Sequence, residues 1–447
     1  MNTRLPSLAV VTFMLLGSHL VEAAVYVEGD LARQAALKFT TRHEHGKLLV
    51  GAVVFESDAE RAGLRTDDAI VAVNGRTFEK PYVGESLLER ADGGVSLSLR
   101  IGRDGREREI TFTPEARPLE EIEGLDSYYS VIDAPDGSRL RSIITRPAGT
   151  RGRLPAIFVV QWVSCDSVEF TRPGAWLDVY RGVAQRSGLA MLRIERAPTG
   201  DSEGPPCYEF DYDTELAHYR YAFDQFLASP HVDPKRIVIM GNSLGATMAP
   251  LVAHGKNIIG ITIASGGALT YFERMLYFDR QALERSGGDP REIHPRLLEQ
   301  ARFHVEYLLN GKTPEQISAE NPALGEVWKR IPHTGDGVHY GRPYAYHHQA
   351  ARKNFSGAWA EIEAPILVVF NSFDQYESRK GAEVIVEIVN RLRPNTARYV
   401  ELPMMEHSFY LFPSADSAYL RERGRGVAAP EPAILAILTW LRESVHP

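Results

Sequence analysis

Five residues constrain this chain more than any others: Gly241-Asn242-Ser243-Leu244-Gly245. They directly follow the apolar run Ile237-Val238-Ile239-Met240 and directly precede the helix-like stretch Ala246 to Ala253. A G-x-S-x-G string in that setting predicts a sharp turn from strand to helix. The serine there is strained, and small residues two before and two after it let the chain pass without collision. The amide of Leu244 is then aimed at any negative charge developing beside the serine, with the start of a helix behind it. Gly241, Asn242 and Gly245 form the frame, and Ser243 is the candidate nucleophile.

A serine hydroxyl needs a base, and the base needs an acid to orient it. Asp374 follows the apolar strand candidate Pro365 to Phe370, and His407 follows Ala397 to Leu402. Both therefore fall at carboxyl ends of strands, where a parallel sheet places its site. Glu377 and Glu406 are the competing acids. Gly200-Asp201-Ser202 is a second serine motif, but it lacks the strand-to-helix turn and reads as a turn lining the cleft.

The rest of the chain after Tyr128 alternates strands with helices. Strands are expected at Ser138–Thr145, Pro155–Gln161, Gly188–Ile194, Arg236–Met240, Ile258–Ala264, Pro365–Phe370 and Ala397–Leu402. Helices are expected at Asp213–Ala228 and Glu431–Glu443. Such alternation argues for a parallel α/β sheet covered on both faces. The loop after Pro155–Gln161 is the expected source of a second oxyanion donor, the amide of Val163 or, less favoured, that of Trp162. Residues 268 to about 350 exceed a plain crossover. Their helical periodicity and many aromatics predict a helical lid over the cleft. Tyr344, Tyr346, His347 and His348 resemble metal ligands in composition only, and no metal site is expected.

From Tyr128 the chain resembles the α/β-hydrolase superfamily of serine esterases and related peptidases. The resemblance rests on Gly200-Asp201-Ser202-Glu203-Gly204, on Val232-Asp233-Pro234-Lys235-Arg236 leading to the Ser243 motif, and on the late Asp374 and His407. It implies an α/β-hydrolase fold, an acyl-enzyme mechanism through Ser243, His407 and Asp374, and no cofactor. The related enzymes often carry His-Gly where this chain has Gln161-Trp162.

Residues 25–116 form a separate small α+β unit. The string from Ser57 through Asn74-Gly75 resembles the PDZ domain of bacterial secreted proteins. That resemblance implies capture of a peptide or protein tail as an added strand. The carboxylate loop should fall near Leu37-Lys38-Phe39-Thr40, without its usual glycine. Residues 117–127, charged and proline-containing, are the expected linker to a hydrolase domain over 128–447.

Met1 to Ala23 has a basic start, an apolar run and small residues at Val21 and Ala23, the pattern of a cleaved signal peptide. Its apolar run is shorter than the roughly 20 residues a membrane span needs. An exported chain, periplasmic or extracellular and without a span after cleavage, is expected. Its two cysteines, Cys165 and Cys207, would then meet an oxidising compartment and pair. Acids outnumber bases 58 to 50, which excludes a basic nucleic-acid binder. The expected substrate is a small acyl ester, with a short peptide (serine aminopeptidase or oligopeptidase) as the second reading. A non-catalytic PDZ interaction protein is the third.

Overall fold

The structure is a computed structural model, and it describes residues 23–287, 289–420 and 426–445. The expected signal peptide lies outside the described residues except for Ala23. Among the described residues no helix is long and apolar enough to cross a membrane.

The centre is a nine-stranded sheet. We number its strands in chain order: β1 (Val25–Val27), β2 (Leu125–Asp133), β3 (Arg139–Pro147), β4 (Leu154–Val160), β5 (Ala190–Ile194), β6 (Val232–Asn242), β7 (Gly260–Ala264), β8 (Ile366–Asn371) and β9 (Ala397–Leu402). Their order across the sheet is β1-β2-β3-β5-β4-β6-β7-β8-β9. From β5 to β9 every neighbouring pair is parallel. β3 runs antiparallel to β2 and to β5.

The apolar runs are continuous because both faces of the sheet are covered. On one face Phe158, Ile239, Ile263 and Val368 pack with Tyr219, Phe223 and Phe226 of helix α2 (Tyr212–Ala228) and Ile385 and Val389 of α4 (Arg379–Leu392). On the other, Ile157, Val159, Met240 and Val369 pack with Val179 and Val183 of α1 (Ala175–Ser187) and Ile434 and Ile437 of α5 (Glu431–Trp440). Helix α3 (Leu244–Ala253) follows β6 without a loop and is buried at nine of its ten residues. It is apolar on every side, as a helix enclosed by protein must be.

Residues 268–350 contain the helices Tyr271–Arg285 and Pro290–His304 and a small three-stranded sheet of Thr334–Gly335, Val338–His339 and Arg342–Pro343, which the helix Tyr344–Ala351 follows. The N-terminal unit has its own antiparallel sheet, ordered Phe39–Glu44, Lys47–Val53, Ala69–Val73, Leu97–Arg103 and Arg106–Phe112. Its core is separate, built on Leu48, Val50, Leu99 and Ile101.

Val25–Val27 does not join the small sheet; it pairs in parallel with Ser127–Tyr129 of β2. The stretch expected as the linker is anchored to the large unit. Glu120 within it is fully buried, bonded to Arg193, to the amide of Phe170 and to Ser127 Oγ.

Candidate active site

β6 delivers Ser243 to the carboxyl edge of the sheet. Ser243 adopts φ 52°, ψ −125°, in the left-handed half of the backbone map. A serine pays for that conformation in strain, which persists because its surroundings leave no alternative. A Cβ on Gly241 would sit 2.5 Å from the carbonyl oxygen of Gly245, and one on Gly245 2.2 Å from that of Val160. Both obstacles are backbone, so neither can move aside. Asn242, expected as part of the frame, hydrogen-bonds through its side chain to the buried Tyr180 hydroxyl.

The structure brings Ser243, His407 and Asp374 together across 164 and 33 residues of sequence. His407 Nδ1 lies 2.8 and 3.0 Å from the two Asp374 carboxylate oxygens. That bond puts the proton on Nδ1 and leaves Nε2 to accept, 2.9 Å from Ser243 Oγ. All three residues are buried. Burial alone would raise the Asp374 carboxyl. The positive charge and hydrogen bond of His407, with the amides of Glu377 and Tyr376, outweigh it and hold the carboxyl below its usual range. For His407 burial works downward, but the Asp374 carboxylate prevails and holds the imidazole above its ordinary value. The competing acids are committed elsewhere. Glu377 pairs with Arg274, and Glu406 accepts from the amides of Ser408 and Tyr410.

The loop after β4 carries Trp162 and Val163. Its carbonyls are gripped from behind by two arginines. Arg196 donates to Trp162 O (2.8 Å) and to Ser164 O. Arg342 donates to Val163 O at 2.8 Å. Both arginines are fully buried and share the carboxylate of Glu215 on α2. In a trans peptide the N–H points opposite to the carbonyl. The Trp162 carbonyl turned onto Arg196 therefore turns the Val163 N–H away from that arginine. Leu244 N–H, at the first turn of α3, has no partner within the helix.

The expected cysteine pair is present. Cys165 and Cys207 are disulfide-bonded with Cα atoms 6.2 Å apart, joining the loop after β4 to the loop after β5. The second serine motif is spent on structure. Ser202 Oγ donates to Glu195 O and accepts from the amide of Arg141, while Asp201 pairs with Arg33 and Arg141. His347 is buried and bonded to Tyr271 Oη and to the carbonyl of His339. Among the described residues no cluster of His, Cys, Asp or Glu has the arrangement to hold a metal ion.

A cavity of about 430 Å³ opens in front of Ser243 and His407. The segment 268–350 contributes Tyr271, Arg274, Met275, Phe278, His333 and Tyr340 to its walls; the loop after β4 and the start of α1 contribute Trp162, Val163, Arg172 and Trp176. His407 lies between Trp176 (ring centroids 5.8 Å apart) and Tyr376 (4.9 Å), both edge-on. Trp176, Tyr376, Arg172 and the Arg196–Glu215–Arg342 group are absent from the sequence reading. A trace existed for one of them: Arg193, Glu195 and Arg196 put three charges at the end of an apolar strand. Such a pattern survives burial only when each charge is paired.

A profile of the alpha/beta hydrolase family matches residues 132–418. Among solved structures, the chain is similar to an alpha/beta hydrolase of a Penicillium species (17% identity over 71% of this chain and 99% of that one, TM-score 0.43). It is also similar to an esterase of the archaeon Pyrobaculum calidifontis (15%, 73% and 86%, TM-score 0.40). Among curated proteins, a zinc metalloprotease of Geobacillus kaustophilus is 34% identical over 88 residues, 20% of this chain and 21% of that one. The chain spans only 15 to 21% of the length of the curated relatives it matches. The profile spans well over half of the sequence and takes in the serine turn, Asp374 and His407, so the chain belongs to the alpha/beta hydrolase family.

Proposed function

We propose that this protein is an exported serine hydrolase that cleaves carboxylic esters. The observation that carries the reading is the unbroken chain of hydrogen bonds from Ser243 through His407 to Asp374, with the serine on a strained turn. Ser243 Oγ attacks the acyl carbon while His407 Nε2 takes its proton. Asp374 keeps the imidazole in the required tautomer and stabilises the imidazolium. The oxyanion accepts from Leu244 N–H and Val163 N–H. The tetrahedral species collapses, the C–O bond breaks, and the leaving alcohol takes the proton from His407. Water then attacks the acyl-enzyme by the same steps. The segment 268–350 acts as a lid, since its aromatic residues wall the cavity.

Replacement of Ser243 by Ala is expected to abolish p-nitrophenyl ester turnover with the circular dichroism unchanged. Undiminished turnover would overturn the assignment. Covalent labelling of Ser243 by a fluorophosphonate separates this reading from a non-catalytic interaction protein, which would not be labelled.

The small unit is PDZ-like in this reading and serves to hold a peptide or protein tail. Its sequence string from Ser57 through Asn74-Gly75 supports the likeness, and curated matches to proteases span 70 to 93 residues, the length of one such unit. A peptide-binding module in the same chain keeps a serine aminopeptidase or oligopeptidase as the second reading, which aminoacyl-anilides tested beside short acyl esters would reveal.

A further inference from the structure

The cavity in front of Ser243 carries positive charge that ester cleavage itself does not use. Two guanidinium groups line it, those of Arg172 and Arg274. Arg274 is committed, with its Nε 2.6 Å from Glu377 Oε1 and its Nη2 on the same oxygen. Arg172 is not. It is half-buried, and among the described residues its guanidinium makes no hydrogen bond or ion pair. Only its amide is engaged, donating to Glu169 O. Its charge reaches Glu89 and Glu195 and opposes that of Arg117, all without a bond.

The lining has one carboxylate, Asp166. Its Oδ2 accepts from two neutral donors, Trp162 Nε1 at 2.9 Å and Ser164 Oγ at 2.5 Å. The remaining walls are mostly aromatic rings and aliphatic carbon, which lower the local dielectric and strengthen any ion pair formed there. A planar guanidinium with five donors matches a carboxylate in a bidentate fork. An ammonium group would meet two guanidinium groups against the single carboxylate of Asp166.

We propose that the substrate is an ester bearing a free carboxylate on its acyl part, and that Arg172 selects it. The proposal rests on the hydrolase reading above and makes Arg172 a specificity-determining residue, outside the bond-making steps. The bonds formed and broken remain those of ester hydrolysis. The acyl product would be a dicarboxylic acid.

The test uses the whole chain and two esters of equal acyl length, p-nitrophenyl hexanoate and mono-p-nitrophenyl adipate. The wild type is expected to favour the adipate ester by about 10-fold or more in kcat/KM, the worth of a hydrogen bond to a charged group. Arg172→Gln should erase that preference through KM, the loss on the adipate ester exceeding any loss on the hexanoate ester by about 10-fold. Arg172→Lys should restore part of the preference. Hexanoate favoured by the wild type, or equal losses on both esters in Arg172→Gln, would overturn the proposal. Neither ester turned over and no fluorophosphonate label on Ser243 would instead overturn the hydrolase reading beneath it.

Discussion

At the scale of single residues, the site is governed by strain and by one proton. Gly245 has no tolerance for a side chain, because the atoms it would meet are the Val160 and Gln161 carbonyls. Gly245→Ala should therefore cost about 3 kcal/mol, an overpacking penalty read from urea denaturation. The proton belongs to His407. Because Asp374 holds its pKa above the ordinary 6.5, the base is neutral only above that raised value. The acid limb of kcat/KM should thus lie at higher pH than a free histidine would give. Asp374→Asn removes the attraction. The limb should then move to lower pH while kcat falls by about four orders of magnitude, since the tautomer is lost as well. A pH–rate profile checks both outcomes.

At the scale of elements, the loop after β4 is held from two directions. The disulfide closes a sequence separation of 42 residues. It should contribute about 4 kcal/mol on a loop-entropy reckoning. Replacing Cys165 and Cys207 together by Ser should lower the denaturation midpoint accordingly. The second hold is the Arg196–Glu215–Arg342 group. Arg342 comes from the small sheet within the 268–350 segment, so that segment reaches the loop that should receive the oxyanion. Arg342→Lys keeps the charge but loses the fork that joins Val163 O to Glu215. A fall in kcat on the order of 10-fold with little change in KM is expected, below the loss of a whole oxyanion donor. A change confined to KM would tell against the role.

At the scale of the whole molecule, the small unit is docked by charge. Arg33 reaches Asp201 (2.9 Å), Glu169 (2.8 Å) and the carbonyls of Arg117 and Pro118 (2.9 and 2.7 Å). Lys80 and Tyr82 contact Asp336 in the 268–350 segment, and Tyr82 meets Tyr208 beside the disulfide. Glu120 and Arg193 are fully buried partners between the connecting stretch and β5. Removing one member leaves the other charge stranded. Glu120→Ala should therefore cost about 3–5 kcal/mol. Arg33→Ala should undock the unit, seen as faster tryptic cleavage near residues 114–124 and a split calorimetric transition.

The sequence by itself determined the features that depend on neighbours along the chain. The strand–turn–helix at Ser243 is local sterics, and G-N-S-L-G between an apolar strand and a small-residue helix leaves few other conformations. The apolar runs of β4, β6, β7 and β8 announced strands buried on both faces. Asp374 was legible because it follows such a strand, His407 because it follows the edge strand Ala397–Leu402, and the cysteines because only two exist. Tertiary structure decided what depends on distant partners. No local pattern says that Val25–Val27 pairs with residues 127–129 across the small unit, since a three-residue strand takes its place from its partner. Glu215, Arg196 and Arg342 lie up to 146 residues apart and become one group only when α2, the β5 loop and the distant segment converge. Whether Arg172 is free is likewise not written in its neighbours. It follows from which carboxylates the fold spends on Trp162, Ser164 and Arg274, and which it leaves out of reach.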